Sequence, residues 1–314
     1  MGKIAFVFSG QGAQYVGMGK EIAEKYEEAQ QVYEQANEAL NLDIRKLCFE
    51  GPEEELNLTE NTQPAILTTS IAIMKVLEKH GIQADQYAGL SLGEYSAHVA
   101  GQSINFQEAV QLVKKRGQYM QEAVPAGKGS MAAIIGLEET QVAEIIKEAS
   151  KEGILEGANY NCPGQIVVGG EVLAIDQAIK LAEQAEARMA VKLKVSAPFH
   201  TSMLKPAADK LEKALEQVNI QSAQKPIVSN VTANYVEKTE DIKPLLINQV
   251  KSAVLWEASV RRMIDDGVDT FIELGPGKVL SGFIKKIDRK LNIYNIENLK
   301  TLDKTLKKLE VTTC

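Results

Sequence analysis

The chain opens on a tight apolar block. Ile4 to Phe8 is continuously hydrophobic and flanked by polar and glycine residues, which predicts a buried strand. A glycine-rich loop, Gly10 to Gly19, follows. Helical spacing then runs from about Lys20 to Leu40, and again from Thr62 to His80 with Pro64 expected in the first turn. Tyr87 to Leu90 predicts a second short strand, Leu92 to about Ala100 a helix, and Asn105 to Val124 another. Strands and helices in alternation predict an α/β fold with a mostly parallel sheet covered on both faces.

The rhythm changes after Pro125-Ala-Gly127. Met131 to Ile135 predicts a strand, Glu138 to Lys151 a helix, Ile154 to Ala158 and Ile166 to Gly169 two strands, Val172 to Ala187 a helix and Ala190 to Val195 a strand. That order, βαββαβ, is the split βαβ of a ferredoxin-like α+β module. The α/β pattern then resumes. The expected organisation is a discontinuous large domain, 1–125 and 197–314, with a small domain, 126–196, inserted into it and a cleft between the two.

Composition narrows the function classes. A chain of 314 residues with 45% hydrophobic and 25% charged residues is ordinary globular material. Its formal charge of −7 gives no global electrostatic support to nucleic-acid binding. Cys48, Cys162 and Cys314 are far apart and lack zinc-ligand spacing, which fits a reducing compartment. The apolar run before Ser9 is too short for a signal peptide, and no run of 18 apolar residues predicts a membrane span. The expected location is the cytoplasm.

Candidate chemistry centres on Gly89-Leu-Ser91-Leu-Gly93, a G-x-S-x-G sequence between a predicted strand and a predicted helix. That context is what a nucleophile elbow requires. The glycines allow backbone to approach backbone, and the turn lifts the Ser91 hydroxyl to a helix N-terminus, where the Leu92 N–H and the helix dipole favour a developing oxyanion. A base is needed, and the chain has three histidines. His80 ends a helix, and His98 lies two turns beyond Ser91 as a partly buried helix residue. His200, in Ser196-Ala-Pro-Phe-His200 at the junction where the small domain ends, is the candidate base.

The Gly10 loop does not read as a phosphate loop. Gln14 stands where the first glycine should be, Glu21 replaces the Ser/Thr, and Tyr15 breaks G-x-G-x-x-G. Lying after the first strand, it can instead place the Gln11 N–H beside the elbow as a second oxyanion donor. Arg116 falls on an apolar helical stripe with Ala109, Leu112, Val113 and Met120. An arginine there needs an anion, either an internal Asp or Glu or a substrate carboxylate held by its two-pronged guanidinium.

These residues together resemble the malonyl-CoA:acyl carrier protein transacylases of bacterial type II fatty acid synthesis. The resemblance runs over essentially the whole chain through Phe6-Val-Phe-Ser-Gly-Gln-Gly-Ala-Gln14, Leu58-Thr-Glu-Asn-Thr-Gln-Pro-Ala65, Gly89-Leu-Ser-Leu-Gly-Glu-Tyr95, Arg116-Gly-Gln-Tyr-Met-Gln-Glu-Ala-Val-Pro125, Asn161-Cys-Pro-Gly-Gln165, Ser196-Ala-Pro-Phe-His200 and Glu273-Leu-Gly-Pro-Gly-Lys-Val-Leu280. The chain is similar, too, to polyketide synthase acyltransferase domains. The resemblance implies an α/β hydrolase-like large domain carrying a ferredoxin-like insert. It makes Ser91 the nucleophile and His200 the base, gives the oxyanion N–H groups to Gln11 and Leu92, and assigns the malonyl carboxylate to Arg116. Gln249 matches the position whose backbone carbonyl orients the histidine, so no acidic third member is expected. Met120, Phe199 and Gln63 fall at the acyl-binding site. Many members have His where this chain has Leu90.

The expected reaction is ping-pong transfer of malonyl from malonyl-CoA to the phosphopantetheine thiol of acyl carrier protein through malonyl-Ser91, with no metal or redox cofactor. The expected enzyme is a monomer that binds neither nucleic acid nor membrane. Lys192, Lys194, Lys278, Lys285 and Lys286 are the expected basic surface for an acidic carrier protein. A serine hydrolase using the same elbow, and a non-catalytic carrier-binding module, are the competing readings.

Overall fold

The computed structural model describes residues 2–195 and 197–309; Ser196, which opens the histidine-loop motif, and Cys314 lie outside the described residues. One sheet is parallel throughout. Its strands are β1 (Lys3–Phe8), β2 (Gln86–Gly89), β7 (Val268–Leu274) and β8 (Asn292–Ile296), in the order β2-β1-β7-β8. The other sheet is antiparallel: β3 (Gly129–Ile135), β4 (Leu155–Cys162), β5 (Gln165–Glu171) and β6 (Met189–Lys192), in the order β4-β5-β3-β6. With helices Glu139–Ala149 and Val172–Gln184 between its strands, it is a ferredoxin-like βαββαβ unit inside an α/β fold.

The apolar block of β1 explains its central place. Phe6 and Phe8 pack into one core with Tyr87, Leu92 and Tyr95, while Ala5 and Val7 pack into another with Trp256, Val260 and Phe271. Alternate side chains feed the two faces of one strand, so the strand is apolar throughout, as buried parallel strands are. The antiparallel sheet divides its faces in the same way. Ala132 and Ile134 meet Val142, Ile145 and Ile175 of its own helices. Met131, Ala133 and Val167 on the opposite face join the main core.

Three elements differ from the sequence reading. The helix expected over Lys20 to Leu40 is two helices, Lys20–Lys25 and Glu27–Leu40, because Tyr26 takes extended backbone at φ −120°, ψ 120°. Its ring packs edge-on against His80. The helix holding Pro64 starts earlier, at Thr59, so the proline lies beyond the first turn; Leu58 O accepts the Asn61 and Thr62 N–H groups and opens the helix upstream of it. His98 is not partly buried but 1% exposed, because helix Leu92–Ala100 runs into the core. Among the described residues no helix is long and apolar enough to cross a membrane, and no group of acidic, Cys and His side chains is placed to hold a metal ion.

Candidate active site

Strands β1, β2 and β7 end side by side, and their C-terminal ends form the floor of a cleft of about 680 Å³. Ser9, Ser91 and Glu273 contribute from these ends, while Met131, Asn159 and Val167 of the antiparallel sheet form the facing wall. The carboxyl ends of parallel strands are where α/β sheets place their ligands.

Ser91 follows β2 after one residue, Leu90, and is the N-cap of helix Leu92–Ala100, with φ 54° and ψ −104°. A non-glycine residue held there is strained, and such strain persists only where the surroundings fix it. Two glycines make the fixing possible. A Cβ on Gly89 would collide with the Gly93 carbonyl, and one on Gly93 with the Phe8 carbonyl. Asn230 clamps the turn from outside. Its Oδ1 accepts the Ser91 N–H at 2.7 Å and its Nδ2 donates to Gly89 O at 2.7 Å. The Leu92 N–H opens the helix, where no intrahelical acceptor exists. The Gly10 loop lies against the same turn, since a Cβ on Gly10 would meet the Leu90 carbonyl, and Gln11 lines the cleft.

His200 reaches Ser91 from the other sequence half, its Nε2 2.7 Å from Ser91 Oγ. Its Nδ1 is 2.8 Å from the backbone carbonyl of Gln249. A carbonyl only accepts, so Nδ1 carries the proton and Nε2 is left to accept from the serine. Burial pushes the imidazole down to about 4, with the Arg116 charge adding to the effect, while the bond to Gln249 O acts in the opposite direction. His200 is therefore neutral near pH 7, the form a general base must have.

Arg116 is 1% exposed. Its Nη1 donates to Gln63 Oε1 at 2.8 Å, and its Nη2 donates to Ser91 Oγ at 3.1 Å and to Gln249 Oε1 at 2.9 Å. Its Nε has no partner, and the Tyr95 ring lies beneath the guanidinium at 5.2 Å. All three acceptors are neutral oxygens, and no ion pair among the described residues includes Arg116. Of the two anions left open by the sequence, an internal carboxylate in direct contact is absent here.

Ser91, His200, Arg116, Gln63 and Gln249 are thus joined in one hydrogen-bond network. Gln63 extends the network by donating to Gln11 Oε1 at 3.4 Å and toward Met120 Sδ at 3.7 Å. Met120 and Phe199 line the cleft, as does Leu90. Lys194 borders the cleft, but Lys192 is paired with Asp176 at 2.8 Å and Lys286 donates to Gln165 at 3.0 Å.

Two residues were missed in the sequence. Asn230 carries no local signal, because its partners are more than a hundred positions away. Glu94 did carry one: it is an acidic residue among Leu92, Tyr95, Ala97 and Val99 in a short apolar helix. It is fully buried, accepting from Gln249 Nε2 at 2.6 Å and from the Asn230 N–H at 3.2 Å. Burial pushes its carboxyl up to about 7, against the hydrogen bonds from Gln249 and Asn230 that favour the charged form.

A strained serine at a helix N-terminus, bonded to a neutral histidine, is built to form and release acyl esters. The family model described as the acyl transferase domain matches residues 5–311. The chain belongs to the acyl transferase domain family. Among its relatives, this acyltransferase is 45% identical to the malonyl CoA-acyl carrier protein transacylase of Bacillus subtilis, the alignment covering 99% of this chain and 98% of that one. Its fold superposes on the crystal structure of the Clostridium perfringens malonyl CoA-acyl carrier protein transacylase with a TM-score of 0.96 at 51% identity, covering 98% and 97% of the two chains. A malonyl-transacylase solved in complex with a type II polyketide synthase acyl-carrier protein matches with a TM-score of 0.94 at 39% identity, covering 98% and 99%.

Proposed function

We propose that this acyltransferase moves a malonyl group from malonyl-CoA to the phosphopantetheine thiol of acyl carrier protein. The observation that carries the reading is the buried guanidinium of Arg116, which has no carboxylate in contact and donates to the nucleophile's own oxygen at 3.1 Å. A malonyl group esterified to that oxygen ends in a carboxylate only a few bonds away. The guanidinium is therefore placed to take it, in exchange for neutral acceptors such as Gln63 Oε1.

In the first half-reaction His200 Nε2 takes the Ser91 proton as Oγ bonds to the thioester carbon. The oxyanion rests on the Leu92 and Gln11 N–H groups. Collapse expels the CoA thiolate, which takes the proton from His200, and malonyl-Ser91 remains. In the second, the carrier thiol gives its proton to His200 and attacks the ester carbon. The tetrahedral intermediate collapses, and Ser91 Oγ leaves and recovers the proton. Gln249 O holds the imidazole throughout. Every proton and electron pair moves among these groups and the two thiols, so the scheme calls for no cofactor, and every residue it uses belongs to this chain. We place the reaction in the cytoplasm.

The test is intact-mass analysis after brief exposure to malonyl-CoA, followed by addition of carrier protein bearing its phosphopantetheine. One malonyl group is expected on Ser91, and it should leave onto the carrier thiol. Release into water at the same rate with or without carrier protein would show a hydrolase instead.

A further inference from the structure

The buried cation and the buried anion of this site do not touch. Arg116 Nη2 donates to Gln249 Oε1 at 2.9 Å, and Gln249 Nε2 donates to Glu94 Oε2 at 2.6 Å. One amide stands between the two charges. The second proton of its nitrogen goes to the Ser91 carbonyl at 2.8 Å, so the amide is fully engaged. Its orientation is fixed by the charges at its two ends. Turned over, the amide would point its oxygen at a carboxylate and its NH2 at a guanidinium.

A buried guanidinium needs a compensating negative charge. A carboxylate in direct contact would supply it, but it would also fill the fork that an anionic acyl group has to use. A carboxylate one amide away compensates the charge and leaves the fork with neutral, exchangeable acceptors. Glu94 otherwise has no part in the chemistry: it touches neither His200 nor the Ser91 hydroxyl, and its Oε1 has no partner. We propose that Glu94 is a positioning residue, the counter-ion of Arg116 relayed through the Gln249 side chain, and that this spacing gives the site its preference for an acyl group carrying its own carboxylate. The inference rests on the reading of Arg116 given above and deepens it.

The test compares wild type, Glu94→Gln, and the double variant Glu94→Gln/Gln249→Glu at pH 8, where Glu94 is mostly ionised. Single-turnover acylation of Ser91 is measured with malonyl-CoA and with acetyl-CoA, and thermal midpoints are recorded. Glu94→Gln keeps an acceptor for Gln249 but removes the anion. Its half-saturating malonyl-CoA concentration should fall roughly five- to tenfold, since no internal charge then offsets the guanidinium, while its thermal midpoint should hold or rise, because a neutral amide replaces a carboxylate whose charge burial disfavours. Tighter substrate binding without loss of stability is not what general damage to packing produces. The double variant moves the carboxylate onto Arg116 itself. Its malonyl-to-acetyl rate ratio should drop by about tenfold or more.

A half-saturating concentration that stays or rises in Glu94→Gln overturns the relay, and so does a double variant with the wild-type ratio. Should Glu94→Gln not fold, the double variant decides alone. Wild type separates the two readings: equal use of malonyl and acetyl there sinks the carboxylate reading of Arg116, whereas a preference untouched by both variants sinks only the relay.

Discussion

His200 and His98 invite comparison. Both are buried, both have a ring nitrogen 2.7 Å from a serine hydroxyl, and burial pushes both down to about 4. Each serine even borders a cleft, of about 680 Å³ at Ser91 and about 700 Å³ at Ser103. The difference lies in where the protons point. Ser103 Oγ donates to the His98 carbonyl at 3.1 Å, so its proton is engaged and His98 Nδ1 must be the donor of the histidine–serine bond. That pair closes the C-terminal end of helix Leu92–Ala100, where the Ser103 N–H also bonds to His98 O at 2.9 Å. At the helix's other end a carbonyl holds the Nδ1 proton of His200, so the bond runs from serine to histidine. Ser91 adds strained backbone at φ 54° and a helix N-terminus, which Ser103 lacks. Distance, burial, depressed basicity and an adjoining cleft are shared by both pairs; proton direction and the elbow are not.

The largest effects should come from exchanging the serines. Ser91→Ala should abolish malonyl labelling and reduce transfer by more than about a thousandfold. Ser103→Ala should keep labelling and transfer within a few-fold of wild type, with some loss of thermal stability. Peptide mapping of the labelled protein checks both, and a label on Ser103 would overturn the comparison. The histidines come next. His200→Ala should lose a hundredfold or more in acylation rate, in keeping with loss of a general base. His98→Ala should lose stability by opening a cavity at the helix end, with kcat nearly unchanged. Stopped-flow acylation with parallel thermal melts distinguishes them; equal kinetic losses would mean that His98 takes part in the chemistry.

The two pairs were unequally legible in the sequence. The elbow showed because its requirements are local: two glycines flank the serine at the places where carbonyls crowd, between a strand and a helix. The order of elements in the antiparallel sheet was legible for the same reason. His200 stood out only as a histidine at a domain junction, since its partner Ser91 is 109 residues away. Gln249 came only through family resemblance, because its backbone carbonyl is what meets the histidine and any residue type has one. The depth of His98 was misjudged because helix Leu92–Ala100 is too short for periodicity to mark an exposed face. The break at Tyr26 was hidden in the opposite way, by helical spacing that continues across a single extended residue.

Arg116 is expected to sharpen the contrast at intermediate size, since it donates to Ser91 Oγ, whereas among the described residues no cation is seen donating to the His98–Ser103 pair. Hydrogen bonds to a charged group contribute about 1.5–3 kcal/mol, or roughly ten- to a hundredfold in rate. Arg116→Ala should therefore lose malonyl transfer by that factor while keeping or gaining acetyl transfer. Arg116→Lys should recover little, because one ammonium cannot make two parallel bonds. Specificity constants for both thioesters check this, and equal loss of both substrates in a folded protein would make Arg116 structural.

The smallest effect is one of pH, and it separates the histidines by function rather than by loss. Each has a native pKa of about 4 against an ordinary 6.5. Between those values the unfolded chain binds more protons than the native one, so stability falls as pH drops from about 6.5 to about 4. Glu94 acts with the opposite sign: its carboxyl is raised to about 7, so the stability linked to its protonated form is lost as pH rises toward 7. Glu94 is present in wild type and in His98→Asn alike, so the difference between the two proteins isolates His98. His98→Asn should flatten the acid side of the stability profile by about one proton's worth of slope. It should leave the acid limb of kcat/KM where wild type has it, well below pH 6, because that limb reports the free-enzyme base His200. Denaturant melts and kcat/KM for malonyl-CoA from pH 4.5 to 8 test both parts. An acid limb that moves with His98→Asn would tie the second histidine to catalysis, and a limb at the ordinary histidine value in wild type would mean that His200 is far better solvated than its burial implies.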